Sequence, residues 1–303
     1  MSDLKTVIPG TDAIAEKGWV GAHKWLILRR ITQIGILSLF LLGPLAGLWI
    51  IKGNLASSLT LDVLPLTDPY VLIQSVLAGQ SPMQAAIIGA VIITVFYLLV
   101  GGRTYCSWLC PINIVTDTAA WLRNILGLKG GAKFSKNARF WLLGATLLLA
   151  MLTGTIAWEL VNPVSILFRG LIFGMGMAWG IVLAIFLLDL LVSKRAWCGS
   201  LCPVGAFYSL LGYTSLLRVS AAHRENCNDC MDCFVICPEH QVIKPALKEI
   251  PTGTGPIILS SQCTNCGRCI DVCAENVFKF DLRFNNSQTT SVTNKHEVLS
   301  RRK

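Results

Sequence analysis

Four apolar windows constrain most strongly what this chain can fold into: roughly Ile31–Ile51, Met83–Gly101, Phe140–Leu160 and Leu171–Val192. Each is long enough to cross a hydrocarbon core, which takes about 20 apolar residues. Of the 303 residues, 53% are hydrophobic and 14% charged, against about 25% charged in an ordinary soluble domain. The windows therefore predict a mainly α membrane protein with four transmembrane helices. The first 25 residues carry Asp3, Asp12 and Glu16 and no apolar run before a small-residue cleavage site, so no signal peptide is expected.

Orientation follows from the placing of Lys and Arg. Residues 1–30 hold five basic residues, and the 102–139 connection holds six against one acid, Asp117. The stretch 52–82 has Lys52 against Asp62 and Asp68, and 161–170 has only Arg169. Both termini and the middle connection are thus expected in the cytoplasm of a bacterial inner membrane. The net charge of +9 is mostly this topological signal and needs no nucleic acid to explain it. Thiols on that side stay reduced, which argues against a disulfide framework.

An internal duplication is visible in the apolar part. Arg103-Thr104-Tyr105-Cys106 through Cys110-Pro111 aligns with Arg195-Ala196-Trp197-Cys198 through Cys202-Pro203 at an offset of 92 residues. Asp68-Pro69 and Asn162-Pro163 recur at an offset of 94. The expected organisation is a cytoplasmic segment 1–30, a two-helix repeat 31–118 and a cytoplasmic connection 119–139. A second repeat 140–215, a small α+β domain 221–280 and a polar, disordered tail 281–303 follow. Pro111 and Pro203 suit the first turn of a helix, and Ile112–Leu126 reads as amphipathic and interfacial. Trp108, Trp121, Trp141 and Trp197 flank the windows and read as interfacial anchors without a chemical role.

All twelve cysteines fall in spaced motifs. Cys227, Cys230, Cys233 and Cys237 read C-x2-C-x2-C-x3-C-P, and Cys263, Cys266, Cys269 and Cys273 repeat the spacing. This is how bacterial ferredoxins hold paired 4Fe-4S clusters, the fourth cysteine of each run serving the other cluster. Carried onto this chain, the pattern gives one cluster to Cys227, Cys230, Cys233 and Cys273. The second falls to Cys237, Cys263, Cys266 and Cys269. Pro238 follows Cys237, but Ala274 stands after Cys273 where proline is usual. The remaining four, Cys106, Cys110, Cys198 and Cys202, form two C-x3-C-P pairs. Two sulfurs do not complete a tetrahedral site, but four brought together by the repeat would hold a further metal or Fe–S site; a redox-active dithiol and a structural role are the alternatives.

Asp189 is the acid well inside a window, and intramembrane carboxylates are functional candidates; an ion pair with nearby Lys194 or Arg195 is the simpler expectation. Glu159, Asp62, Asp68 and Arg169 fall on the outer side, where one of them is a candidate proton acceptor. His23, His223, His240 and His296 lie outside the windows, which speaks against an intrinsic b-type haem.

Beyond the cysteines, several strings stand out: Lys17-Gly18-Trp19 with His23-Lys24-Trp25-Leu26, Pro65-Leu66-Thr67-Asp68-Pro69, and Cys106-Ser107-Trp108-Leu109-Cys110-Pro111. Trp158-Glu159-Leu160-Val161-Asn162-Pro163 and Cys230-Met231-Asp232-Cys233-Phe234 join them. With these strings the chain resembles, over nearly its whole length, the NapH family of ferredoxin-type membrane proteins of periplasmic nitrate reductase systems. The resemblance implies an electron-transfer subunit of a quinol dehydrogenase, passing electrons from ubiquinol or menaquinol toward periplasmic nitrate reductase. Its implied partners are the quinone pool, a periplasmic NapG-type ferredoxin and a NapC-type multihaem cytochrome. A redox scaffold, a maturation or sensing factor, and a metal reductase in oxidase assembly are the other readings.

Overall fold

The computed structural model describes residues 9–128, 130–132, 134–174, 176–248 and 255–284; the expected tail is described only as far as Phe284. Helices α1 (Thr11–Ala22) and α2 (Lys24–Ala46) lead into a three-stranded antiparallel meander, β1 (Ile51–Gly53), β2 (Ser57–Thr60) and β3 (Leu64–Thr67). Next come α3 (Pro69–Leu77), α4 (Gln84–Val100), a π-helical turn (Tyr105–Leu109) and α5 (Ile112–Ile125). The second half repeats the order with α6 (Ala138–Thr153), α7 (Ala157–Val161), α8 (Pro163–Phe173) and α9 (Gly176–Leu187). A π-helical stretch (Leu188–Val192), a second π-helical turn (Trp197–Leu201) and α10 (Pro203–Leu211) complete it. The C-terminal unit comprises β4 (Leu217–Ser220), α11 (Asp232–Ile236), α12 (Ile243–Lys248), α13 (Arg268–Val272) and β5 (Lys279–Leu282).

The repeat seen in sequence reappears as repeated local chemistry. Asp68 caps α3 by accepting from Tyr70 N–H at 2.9 Å, and Asn162 caps α8 by accepting from Val164 N–H at 3.1 Å. Each is followed by a proline at the first helical position, where a missing donor costs nothing. The 52–82 and 161–170 stretches, expected as connections, thus each contain a helix. Close packing of the meander needs a glycine: a Cβ on Gly89 would lie 2.9 Å from Thr67 N and 3.0 Å from Pro65 O.

Apolar windows and helices differ at three places. Helix α2 begins at Lys24 and stops at Ala46, where Gly47 takes a left-handed φ of 72° and closes the last turn onto Gly43 O. Ile51, expected at the end of the first window, begins β1. Helix α6 stops before Gly154 (φ 66°), and the fourth window straddles Gly174 (φ 66°), which separates α8 from α9. Such glycines end helices because they enter the left-handed region without a Cβ penalty. Among the described residues, one helical stretch, Thr11–Ala46, is long and apolar enough to cross a membrane; four others are shorter apolar helices.

In the C-terminal unit β4 pairs antiparallel with β5, Leu217 facing Leu282 and Ser220 facing Lys279. The sheet therefore carries the unit beyond both bounds of the expected 221–280 segment. Its core joins Val219, Val242, Ile243, Leu247, Ile258, Val277 and Phe278 to Cys233 and Cys269. The N-terminal segment straps across this unit. Asp271 accepts from the backbone N–H of Trp25 (3.1 Å) and Leu26 (2.9 Å), satisfying orphan donors at the start of α2. Gly10 N–H donates to Asp232 Oδ2 at 2.9 Å.

Candidate metal centres

Both long cysteine runs fold alike. In the first, Met231 takes a left-handed φ of 65° and α11 starts at the next residue. In the second, Gly267 (φ 73°) precedes α13. Each loop turns three sulfurs inward, and the fourth leaves from the far end of its short helix toward the other loop. One void is lined by Cys227, Cys230, Cys233 and Cys273 together with apolar Phe234, Leu247 and Phe278. The other is lined by Cys237, Cys263, Cys266 and Cys269 with Val219, Ile243 and Ile258. In each void the fourth cysteine comes from the other run, Cys273 in the first and Cys237 in the second.

Among the described residues no three of His, Cys, Asp and Glu converge tightly enough to chelate a single ion. Thiolates that each take one corner iron of a cluster stand farther apart than ligands around one ion, and soft sulfur suits iron–sulfur chemistry. Burial, then the neighbouring sulfurs, pushes the Cys233 thiol up to about 12. Burial raises Cys263 to about 11. Cys266 moves the other way: burial opposes ionisation, but the charges of Arg268 and Arg29 outweigh it and hold the thiol below its ordinary value. Four such sulfurs around an apolar void fit a cationic iron cluster, which stabilises the thiolates that burial disfavours.

The C-x3-C-P pairs form the second candidate. Each sits on a π-helical turn closed by the second cysteine: Cys110 N–H donates to Tyr105 O at 3.0 Å, and Cys202 N–H to Trp197 O at 2.9 Å. All four sulfurs fall within electrostatic reach of one another. Burial raises the Cys198 thiol, with Cys110 and Cys202 adding to it; burial and then Cys106 raise Cys202 to about 12.

This second quartet abuts the loop of the second ferredoxin run. Ser107 Oγ donates to Thr264 O (2.7 Å), Trp108 Nε1 to Asn265 O (3.0 Å) and Arg103 Nη1 to Gln262 O (2.9 Å). Asn265 Nδ2 returns a bond to Val100 O at 3.0 Å. Trp108, expected as an anchor without a chemical role, is thus part of the joint between the two units.

Two carboxylates that sequence reading left without a role organise this joint. Asp117 on α5 meets Arg30 (2.5 Å), Arg268 (2.6 Å), Arg195 (3.1 Å) and Arg29 (3.9 Å). Burial opposes its charge, but Arg268 and Arg195 hold its carboxyl far below the usual range. Asp117, on the polar side of α5, therefore faces arginines of other elements. Glu239, just past Cys237-Pro238, meets Lys136 (2.5 Å), Arg103 (2.8 Å) and Arg139 (3.6 Å). Burial works against its charge, yet Arg103 and the hydrogen bonds from Lys136, Arg103 and Gln241 hold the carboxyl down at about 2.

The remaining expected residues scatter. Asp189 makes no ion pair with Lys194 or Arg195: its Oδ1 accepts from Trp197 N–H at 3.0 Å, and Arg195 turns to Asp117 instead. Asp68 accepts from Tyr208 Oη at 3.2 Å, and Glu159 accepts from Asn162 at 3.1 Å. Asp62 pairs with Lys52 on the surface, and Arg169 is exposed. His23 contacts Trp19 O, His223 meets Glu225, and His296 lies outside the described residues.

A sequence family described as a 4Fe-4S binding domain matches residues 82–129 and again 175–220, each segment holding one C-x3-C-P pair. The chain is 56% identical over 273 residues, 90% of this chain and 94% of the relative, to the methylamine utilization ferredoxin-type protein MauN of Methylorubrum extorquens. It is 59% identical to MauN of Paracoccus denitrificans over 83% of this chain and 88% of that one. With the ferredoxin-type protein NapH of Escherichia coli it shares 46% over 91% and 96%. No solved structure matches.

Proposed function

The chain belongs to the family of ferredoxin-type electron transport proteins that includes NapH and MauN, and from that premise we propose that it is a membrane-embedded electron-transfer subunit working with the quinone pool. The observation that carries this reading is the pair of voids, each lined by four cysteines with crossed fourth positions. Cys227, Cys230, Cys233 and Cys273 would hold one 4Fe-4S cluster, Cys237, Cys263, Cys266 and Cys269 a second. The C-x3-C-P sulfurs Cys106, Cys110, Cys198 and Cys202 would hold a further metal or Fe–S site. When bound, such groups supply one-electron carriage at potentials set by their surroundings.

The protein's own residues hold the sites in sequence. The π-helical turns fix the C-x3-C-P sulfurs, and Ser107, Trp108 and Arg103 hold the Cys263–Cys269 loop against them. The crossed cysteines tie that loop to the outer one. In support of a membrane setting, Ile31, Ile34, Val91, Val95, Leu149, Leu152 and Leu183 are exposed along α2, α4, α6 and α9, a larger apolar surface than soluble monomers present. The distribution of Lys and Arg supports both termini in the cytoplasm.

Higher identity to the MauN relatives favours methylamine utilization as the process served. The NapH likeness supports the second reading, transfer toward periplasmic nitrate reductase through NapG- and NapC-type partners. Iron and acid-labile sulfide analysis of the purified protein tests the sites. Serine replacement of each cysteine quartet should remove one site's iron and leave the others. Quinol added to the protein in lipid, with its partners, should bleach the iron–sulfur absorbance; failure to do so refutes the quinol reading. Deletion in the host, followed by growth on methylamine and by periplasmic nitrate reduction, separates the two processes.

A further inference from the structure

Buried polar atoms without partners concentrate on arginines beside the thiols. Arg29 and Arg139 are both fully buried. Among the described residues all three guanidinium nitrogens of Arg29 lack a hydrogen bond, as do Nε and Nη2 of Arg139 and Nε and Nη1 of Arg195. A buried donor left unmade costs about 1–3 kcal/mol, more when charged. Orphans at this density in one region therefore point to acceptors of another kind.

The candidate acceptors are sulfur. Arg29 is within electrostatic reach of Cys266, and Arg195 of Cys266 and Cys237. Arg268 lines the void of that same quartet. On the other side Arg139 is within electrostatic reach of Cys106 and Cys202, and Arg103 of Cys106 and Cys198 as well as Cys263. These are repeat-related positions. Arg103 and Arg195 precede the two C-x3-C-P turns at an offset of 92, while Arg29 and Arg139 lie on α2 and α6, the first helix of each half. The duplication has delivered one arginine pair to each of two sulfur quartets.

We propose that these arginines are potential-setting residues: Arg29, with Arg195 and Arg268, for the quartet Cys237, Cys263, Cys266 and Cys269, and Arg139, with Arg103, for the C-x3-C-P quartet. The inference rests on the iron–sulfur reading above. Guanidinium groups donating to sulfur stabilise the more negative, reduced state and raise the reduction potential. Around the first quartet four arginines surround Asp117, and even with Glu239 lining the void and Asp271 beside Arg29 the cations outnumber the carboxylates. The outer quartet differs. Cys227 Sγ lies 3.4 Å from Asp229 Oδ1 and near Glu275 as well as Lys248. Of the two ferredoxin sites, the inner one takes the higher potential.

A redox titration of the purified full-length protein, followed by electron paramagnetic resonance, tests this. The wave missing from a Cys227→Ser, Cys230→Ser variant identifies the outer site. Arg29→Gln is expected to lower the inner wave by at least a tenfold change in its one-electron equilibrium, about 59 mV, with the outer wave unmoved. Asp117→Asn, which removes the counter-charge, is expected to move the inner wave upward. An Arg29→Gln protein that keeps its iron and shows both waves unmoved, or both moved equally, overturns the proposal. Where Arg29→Gln loses iron, Asp117→Asn decides: a rise in the inner wave supports the proposal, and no change or a fall overturns it. Wild-type protein without iron overturns the iron–sulfur reading and this inference with it, and shows at the first analysis before any variant is made.

Discussion

Replacing Glu239 with Gln should loosen the joint between the apolar helical unit and the ferredoxin-type unit. Glu239 is 2% exposed and is the shared counter-ion of Arg103, Arg139 and Lys136. Its carboxyl is held down from 4.5 to about 2, a shift equivalent to roughly 3 kcal/mol of stability at neutral pH. Breaking a buried pair by removing one partner costs about 3–5 kcal/mol independently of that reasoning, so the two magnitudes agree. Gln keeps the shape and one acceptor, which puts the expected loss near 3 kcal/mol.

At roughly 2–4 °C per kcal/mol for chains of 150–250 residues, the melting midpoint in detergent should fall by about 6–12 °C. The sign with pH follows from the depressed pKa. The contribution is complete above the unfolded value of 4.5 and is lost as pH falls through about 2. Between pH 7 and pH 4 the wild-type advantage over Glu239→Gln should therefore shrink by roughly 1 kcal/mol. A variant that melts with the wild type at pH 7, or an advantage that grows on acidification, refutes the reasoning.

Substitutions at three further positions have outcomes that follow from the contacts described above. Gly102→Ala puts a Cβ 1.9 Å from Tyr208 O and 2.5 Å from Gly212 N; displacing α10 should cost about 3 kcal/mol, read as a lowered melting midpoint. Trp108→Phe keeps the ring but loses the bond to Asn265 O, and should cost about 1 kcal/mol in the same measurement. Asp189→Ala strips the acceptor from Trp197 N–H and should cost about 1–3 kcal/mol. Asp189→Asn, which retains an oxygen at that position, should stay within about 1 kcal/mol of wild type.

Much of the site was legible because its information is local. A C-x2-C-x2-C run places its sulfurs through a turn a few residues long, and the repeated Arg-aromatic-Cys-Leu-Cys-Pro string reports the duplication. Helix ends were read less well. Gly47, Gly154 and Gly174 close helices through left-handed backbone inside stretches that stay apolar, so hydropathy runs straight across them. Asp117 was counted as a lone acid in a basic connection, and nothing in the linear order says that Arg29, Arg195 and Arg268 converge on it. Glu239 follows a Cys-Pro in an ordinary polar context; its partners lie more than 90 residues away in sequence. Long-range ion pairs leave no periodic or spacing signal, and here they carry the joint.

The asymmetry between the two carboxylates has a source in the repeat itself. Asp117 lies on the helix after the first C-x3-C-P turn and takes Arg195 from the other half. At the same offset of 92 the second half carries Ser209, which is buried and spends its hydroxyl on Ala206 O at 2.7 Å. Arg103, the partner of Arg195, therefore finds no acid within the duplicated unit. Its buried charge has to be matched from elsewhere, because an unpaired buried guanidinium is far costlier than a paired one. Glu239 supplies the match from the C-terminal unit. Both carboxylates thus fasten the ferredoxin-type unit, Asp117 through Arg268 and Glu239 through Arg103, with Cys237 two residues before Glu239 and Cys106 three residues after Arg103. The two ion-pair clusters, with the Ser107 and Trp108 bonds to the Thr264–Asn265 backbone, hold the inner sulfur quartet beside the C-x3-C-P sulfurs.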